Sequence, residues 1–353
     1  MKSNFFDLDF EDLSSILSDW GEPEYRANQI WTGIYKQFKS NPADLSNTPL
    51  PIRSRLETTF SFTNLTPAEL LTSSDGKTVK TLFKLSDGQA IEAVLLRYSD
   101  RNTLCISSQV GCAMGCVFCA TGQMGYRRNL SSGEIVEQVI HYARILKQTN
   151  EEITNVVVMG MGEPFHNYES TLSAINRLNH PLGMNLGMRH FTVSTVGIVP
   201  MIYKFADEQS QINLAVSLHA ADDELRNSLI PVNKRYPLED LIAACRYYVE
   251  KTHRRISFEW ALIRDVNDLP EQAIKLARLL KGLLCHVNVI PLNPTHGYHR
   301  LSTTKERAQK FRDVLMKSGI PCTIRVRRGI DIQAGCGQLA IQEEDKSRIF
   351  QHH

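Results

Sequence analysis

The sequence predicts an α/β protein: six β/α units forming a full or partial barrel, preceded by a small helical domain and a strand pair. Three observations carry this. From about residue 100, short β-branched runs alternate with longer stretches of helical period. No Gly-x-Gly-x-x-Gly follows the first of those runs, which removes the main argument for a doubly wound nucleotide-binding sheet. Each polar, motif-like segment falls at or just after the end of a strand, the rim on which barrel enzymes carry their chemistry.

Residues 1–75 read as the helical domain. Short helical patterns there are broken by Gly21, Pro23, Pro42, Pro49 and Pro51. Residues 76–98 read as a β linker, with strands Thr78–Leu85 and Ala90–Tyr98 joined at Ser86-Asp87-Gly88. The barrel is expected over residues 99–340, with a tail at 341–353. Its strands are Thr103–Ser108, Thr154–Met159, His190–Thr195, Asn213–Leu218, Ser257–Ile263 and His286–Pro291. Of the helices between them, Gly133–Lys147 is the clearest: Ile135, Val136, Val139, Ile140, Ala143 and Leu146 share one face. Pro237–Lys251 and Pro270–Leu280 are similar.

Composition excludes more than it identifies. Hydrophobic residues make up 42% of 353 and charged residues 22%, with a net charge of +2. A disordered chain, a collagen-like repeat and a coiled coil are thereby excluded. No run approaches the ~18 consecutive apolar residues of a membrane span. The start reaches acid at once, in Asp7, Asp9, Glu11 and Asp12, unlike a secretory leader, so a cytoplasmic protein is expected.

The eight cysteines are unevenly spaced, and three fall in Cys112-Ala-Met-Gly-Cys116-Val-Phe-Cys119. Clustering of this kind favours metal or cluster ligation over disulfides. Gly111 and Gly115 let the loop wrap tightly. A structural zinc is the competing reading, but it normally takes four ligands, and no fourth Cys or His lies nearby. Three thiolates on a [4Fe–4S] cluster would leave one iron open to a substrate or cofactor. Cys245, Cys285 and Cys322, in apolar settings, read as small buried hydrophobes.

The C-x3-C-x2-C array with an aromatic before its last Cys resembles the signature of the radical S-adenosylmethionine (radical SAM) enzymes. Their (β/α)6 partial barrel matches the six units. Gln109-Val110-Gly111-Cys112, Met159-Gly160-Met161-Gly162-Glu163-Pro164 and the run Arg328–Leu339 resemble, more closely, the RlmN-type methyltransferases that act on adenine carbon 2 in 23S rRNA and tRNA. Gly335 departs from that pattern, which usually has a second Ala before the Cys.

The resemblance implies a radical SAM barrel holding one [4Fe–4S] cluster on Cys112, Cys116 and Cys119. It places S-adenosylmethionine against Gly162, Glu163, Ser194, Ser217, Leu218, His219 and Asn293. It also implies a methyl-cysteine on Cys336 formed from one S-adenosylmethionine, and radical attack on adenine after cleavage of a second. The transient protein–RNA adduct is then released with the help of Cys105 as resolving thiol and Glu92 as proton acceptor. The implied targets are an adenine of the peptidyl transferase centre and an anticodon-loop adenine. The implied partners are 23S rRNA, tRNA and an external, flavodoxin-like electron donor, with the chain a monomer and no membrane involved. Cfr-type enzymes, which methylate adenine carbon 8 with the same cysteine pair, are the nearest alternative; Pro164 is closer to the carbon-2 group. A non-catalytic RNA-binding protein with a structural metal is a second class, which leaves the glycine-flanked Cys336 without a reason.

Residues 300–328 carry nine Lys and Arg against two acids, and Arg127 and Arg128 follow the cysteine loop. A basic zone leading into Cys336 suits a phosphate backbone. A second RNA surface is expected on the helix bearing Arg26, Gln29, Trp31, Tyr35, Lys36 and Lys39.

Overall fold

The computed structural model describes residues 2–341. A short strand β1 (Ser3–Asn4) opens the chain, followed by helices α1 (Phe10–Asp19), α2 (Tyr25–Tyr35) and α3 (Leu50–Thr59). Asp9 caps α1 reciprocally with Asp12, satisfying two otherwise orphan N–H groups. Strand β2 (Phe60–Ser61) returns to pair with β1. The aromatic core of this region joins Phe5, Phe6, Trp31, Tyr35, Phe60 and Phe62, with Phe5 stacked on Phe62 at 4.5 Å.

Strands β3 (Leu65–Thr72), β4 (Thr78–Leu85), β5 (Ala90–Arg97) and β6 (Asn102–Cys105) then form an antiparallel meander. The expected strand pair is therefore three strands long before the barrel begins. Leu65–Thr72 falls inside the stretch read as helical, and helix there ends at Thr59. The physical reason is its edge position: β3 is mostly exposed, carries Pro67, and bulges between Pro67 and Glu69. An edge strand tolerates both features and so lacks the apolar alternation of a buried one.

From β6 onward the chain alternates. A small hairpin, β7 (Gln109–Gly111) with β8 (Tyr126–Asn129), encloses the cysteine loop and the one-turn helix α4 (Ala120–Gln123). Then follow α5 (Ser132–Gln148), β9 (Asn155–Val158), α6 (Tyr168–Asn179), β10 (Phe191–Thr195), α7 (Val199–Asp207) and β11 (Asn213–Ser217). The last units are α8 (Asp223–Leu229), α9 (Leu238–Thr252), β12 (Ile256–Leu262), α10 (Pro270–Leu279), β13 (Cys285–Pro291), α11 (Lys305–Lys317) and β14 (Cys322–Ile324).

Ten strands make one sheet in sequential order from β3 to β14, parallel from β6 on. The edges β3 and β14 do not pair, so the barrel is open. The six expected barrel strands are present. The seventh parallel strand, β14, has three residues, too few to leave a periodic signal. Parallel strands put all their C-terminal ends on one rim, and that rim positions the site.

The helical region is seated on α5 and α6. Glu137, buried on α5, accepts hydrogen bonds from Asn4, Asn64 and the Leu65 N–H. Arg177 on α6 donates to the carbonyls of Phe6 and Asp7. Among the described residues no helix is long and apolar enough to cross a membrane.

Candidate active site

One cavity opens at the rim, and its wall includes Cys105, Cys112, Cys116, Cys119, Gly162, Glu163, Ser194, Ser217, His219, Asn293 and Cys336. Segments more than 200 residues apart in sequence meet there because each follows, or belongs to the rim of, a parallel strand.

The cysteine loop is closed at its base by β7 and β8. Gly111 takes a left-handed φ of +73°, and a Cβ there would lie 1.8 Å from the Gly125 carbonyl. Cys112 N–H donates to that same carbonyl at 3.1 Å. The far side of the loop leans on α8, where Val117 N–H donates to Leu229 O. Burial pushes the Cys112 thiol up to about 12, and Cys116 rises for the same reason with Cys119 and Cys112 adding. Thiols in such a place ionise only when a cation compensates them, as a bound metal or cluster would. The three cysteines line one shared cavity, which suits a cluster.

Gly160 to Glu163 follow β9. A Cβ at Gly162 (φ +103°) would lie 2.6 Å from the Gln109 side chain, whose Oε1 accepts the Glu163 N–H at 2.8 Å. Glu163 is buried; its oxygens accept N–H bonds from Phe165 at 3.0 Å and Val196 at 2.8 Å. Burial raises its carboxyl to about 7 against these hydrogen bonds. The Thr195 side chain also hydrogen-bonds the carboxylate, so three of its roughly four lone-pair sites are used and one is left for a cationic ligand.

Ser194 is the next-to-last residue of β10 and Ser217 ends β11, both on the cavity wall. His219 has left-handed backbone (φ +57°), and its Nδ1 accepts the Ala261 N–H at 2.8 Å. The hydrogen therefore sits on Nε2. Burial lowers the ring to about 3, so it is neutral. Asn293 donates from Nδ2 to Cys336 O at 3.1 Å, while its Oδ1 is buried with no protein partner. An orphaned acceptor on a cavity wall is what a ligand's N–H satisfies. The residues present thus fit both a cluster and S-adenosylmethionine.

Leu218 is placed differently from its expectation. Its side chain is fully buried in the core and off the cavity wall, its N–H donates to Glu259 O, and its carbonyl accepts from Arg226. Glu92 is also off the wall. It is buried, not an exposed strand residue, with Oε1 2.6 Å from Lys80 Nζ and Oε2 accepting the Ala340 N–H at 3.0 Å.

The Cys336 loop is stitched to the cysteine loop. Ala120 N–H donates to Gly337 O at 2.8 Å, and Thr121 Oγ1 donates to Leu339 O at 2.6 Å. Cys336 presents its surface to the cavity, while the protein around its thiol raises it, with Glu259 adding. Burial lifts Cys105 to about 12, and Cys336 adds to that rise. Cys245, Cys285 and Cys322 are buried off the cavity wall.

Sequence reasoning missed Glu259. It sits on β12, buried on the cavity wall, with Asn288 donating to its Oε1 at 2.8 Å. Its only sequence signal was a carboxylate inside an otherwise apolar strand. Of the residues expected on an RNA surface at α2, Trp31 and Tyr35 are corrected: they have no exposed surface, being stacked on each other in the aromatic core, whereas Lys36 is exposed. Arg128 is likewise engaged, by Glu134 and Asp87.

Comparison with known proteins decides the family. Residues 106–280 match the Radical SAM superfamily, and residues 3–61 match the ribosomal RNA large subunit methyltransferase N-terminal domain. The dual-specificity RNA methyltransferase RlmN 1 of Myxococcus xanthus is 49% identical over 98% of this chain and 96% of its own. The chain belongs to the RlmN family of dual-specificity RNA methyltransferases. A probable RlmN of Chloroflexus aurantiacus is 48% identical over 95% of this chain and 92% of its own. A radical SAM methyltransferase structure from Sphaerobacter thermophilus superposes with a TM-score of 0.94 at 49% identity, covering 96% of this chain and all of that one. As a radical SAM enzyme of the RlmN family, the protein uses a [4Fe–4S] cluster and S-adenosylmethionine to methylate RNA.

Proposed function

We propose that this RlmN-family enzyme methylates carbon 2 of an adenine in 23S rRNA and in tRNA, with Cys336 as methyl carrier, Cys105 as resolving thiol and Glu92 as proton acceptor. The observation that carries this reading is that Cys105 and Cys336 share one cavity wall with the three cysteines of the loop. Cys112, Cys116 and Cys119 hold the cluster in this reading. Glu163, Ser194, Ser217, His219 and Asn293, with the backbone at Gly162, hold S-adenosylmethionine; Leu218, off the cavity wall, supports Ser217 from behind.

When bound, the cluster and S-adenosylmethionine supply the methyl group and the one-electron chemistry that an amidine carbon requires. The chain's own residues do the rest. The Cys336 thiolate takes the methyl by displacement, forming its S–C bond as the donor's breaks. Once that carbon is joined to adenine, Glu92 receives the proton from carbon 2, and the adduct's unpaired electron leaves to a one-electron acceptor, a role the cluster would serve. Cys105 then attacks the Cys336 sulfur. A disulfide forms, the S–C bond breaks, and its electron pair stays on the carbon, which takes up a proton to become the product methyl. An external two-electron reductant restores both thiols. Glu92 is held by Lys80 and Ala340, so its role requires the loop anchored at Ala340 to move aside.

The target adenine enters the cavity only if it leaves its stack. The cell compartment proposed is the cytoplasm, with the chain acting as a monomer and a flavodoxin-like protein delivering electrons. Mass spectrometry of nucleosides from a deletion strain, with and without the gene, tests the reading. Restored 2-methyladenosine in both rRNA and tRNA is expected. Restored 8-methyladenosine would replace carbon 2 by carbon 8, and restoration of no methyladenosine at all would overturn the proposal.

A further inference from the structure

Arg226, on α8, has no exposed surface. Its four hydrogen bonds all go to neutral oxygens. Nη2 donates to Val196 O at 2.6 Å and to Ser217 O at 3.2 Å, Nε to Leu218 O at 3.1 Å, and Nη1 to Asn233 Oδ1 at 2.7 Å. One planar fork therefore ties together the ends of β10 and β11, the strands that present Ser194 and Ser217. Asp223, on the same helix, is not bonded to it; Asp223 Oδ1 accepts from Asn233 and from the Leu238 N–H.

A buried cation without a bonded anion is costly unless something nearby supplies negative charge. The candidate is the cysteine loop, which touches the C-terminal end of the same helix. The cysteine loop rests on this helix through Val117 N–H to Leu229 O at 3.1 Å, and Cys116 packs into the apolar cluster with Leu229 and Ile230. An arginine guanidinium held by four hydrogen bonds stays charged at neutral pH.

We propose that Arg226 is a positioning residue with two effects: its fork fixes the strand ends that receive S-adenosylmethionine, and its permanent charge behind the cysteine loop eases reduction of the cluster. Adding an electron adds negative charge, and a cation held in a low-dielectric place stabilises the reduced form more than the oxidised one. This rests on the cluster reading of Cys112, Cys116 and Cys119.

The test is a redox titration of full-length protein reconstituted anaerobically with iron and sulfide, followed by electron paramagnetic resonance. Iron and sulfide are assayed on every variant. Arg226→Gln should lower the ratio of reduced to oxidised cluster about tenfold at the wild-type midpoint, a 59 mV fall for one electron. Arg226→Lys keeps the charge and loses the fork, so its midpoint should stay near wild type while S-adenosylmethionine binds more weakly. Asp223→Asn removes a partly compensating negative charge and should move the midpoint upward. An Arg226→Gln protein with full iron content and an unmoved midpoint overturns the inference alone. Should that variant fail to fold, Asp223→Asn at the wild-type midpoint overturns it equally. A wild-type chain that takes up no iron overturns the cluster reading as well.

Discussion

Two thiols on one wall do different work when each is removed singly. Without Cys336 there is nothing to carry a methyl group, so Cys336→Ala should leave RNA free. Without Cys105 the methyl still loads and the carbon still joins adenine, but no thiol breaks the carbon–sulfur bond. Cys105→Ala should therefore purify with RNA that survives denaturation and disappears on nuclease treatment, and the double variant should carry none. Turnover by Cys105→Ala would end the two-thiol scheme. Glu163 gives a second expectation at this scale. Its carboxyl, raised by burial to about 7, is largely protonated below pH 7 and ionised above it. A ligand ammonium needs the ionised form. Anaerobic S-adenosylmethionine binding should thus tighten as pH rises from about 6 to 8, approaching tenfold per unit on the acid side. Glu163→Gln should flatten that dependence. These residues differed in how visible they were beforehand. The cysteine loop was legible because ligand spacing is a local property of sequence. Glu259 and Arg226 were not, because a lone charge in a strand or short helix looks the same whether it faces water, a cavity or a strand end.

At the scale of elements, α5 shows what local sequence does specify. Ser131 accepts the Glu134 N–H, and Glu134 accepts the Ser131 N–H in return. Glu134 also receives both terminal nitrogens of Arg128, whose Nε reaches Asp87 on the β4–β5 turn. The cap thus fixes where the helix leaves the hairpin that encloses the cysteine loop. Ser131→Ala should cost about 1 kcal/mol of stability, the usual worth of an N-cap, read as a lower urea midpoint with an unchanged slope. Helix α5 was legible as Gly133–Lys147 because its buried face repeats at helical period. Strands β3 and β14 were not: β3 is an exposed edge carrying proline, and β14 is too short for period two to register. Helix α2 misled in the opposite sense. Its Trp31, Tyr35 and cationic neighbours look like an RNA face, yet the rings are consumed by an aromatic core that no local pattern announces.

At the scale of the whole molecule, the helical region is built into the barrel rather than appended to it. Its first residues lie across the N-terminus of α5, where Asp7 Oδ1 accepts the Gly133 N–H at 2.7 Å. The approach is so close that a Cβ on Gly133 would meet Asn4 Nδ2 at 2.6 Å, Asp7 N at 2.8 Å and Phe6 C at 2.8 Å. Two of those three atoms are backbone, so no rotamer change relieves the clash. Gly133→Ala should therefore lever residues 4–7 away from α5. The same displacement would strain Arg177's bonds to Phe6 O and Asp7 O and Asn4's bond to Glu137. Alanine gains up to about 1 kcal/mol over glycine inside a helix, and overpacking costs about 1–3 kcal/mol, so the net effect should be destabilising. The measurement is thermal unfolding of the full chain beside hydrogen exchange of the Phe5–Phe6 segment. A lower melting temperature with faster exchange confined to that segment and its aromatic partners is expected. An unchanged melting temperature with unchanged exchange would mean that the helical region is not held at this point. Ser131→Ala, two residues away, supplies the control: it weakens the cap of the same helix while leaving the Asn4–Asp7 contact intact, so exchange at Phe5–Phe6 should stay slow.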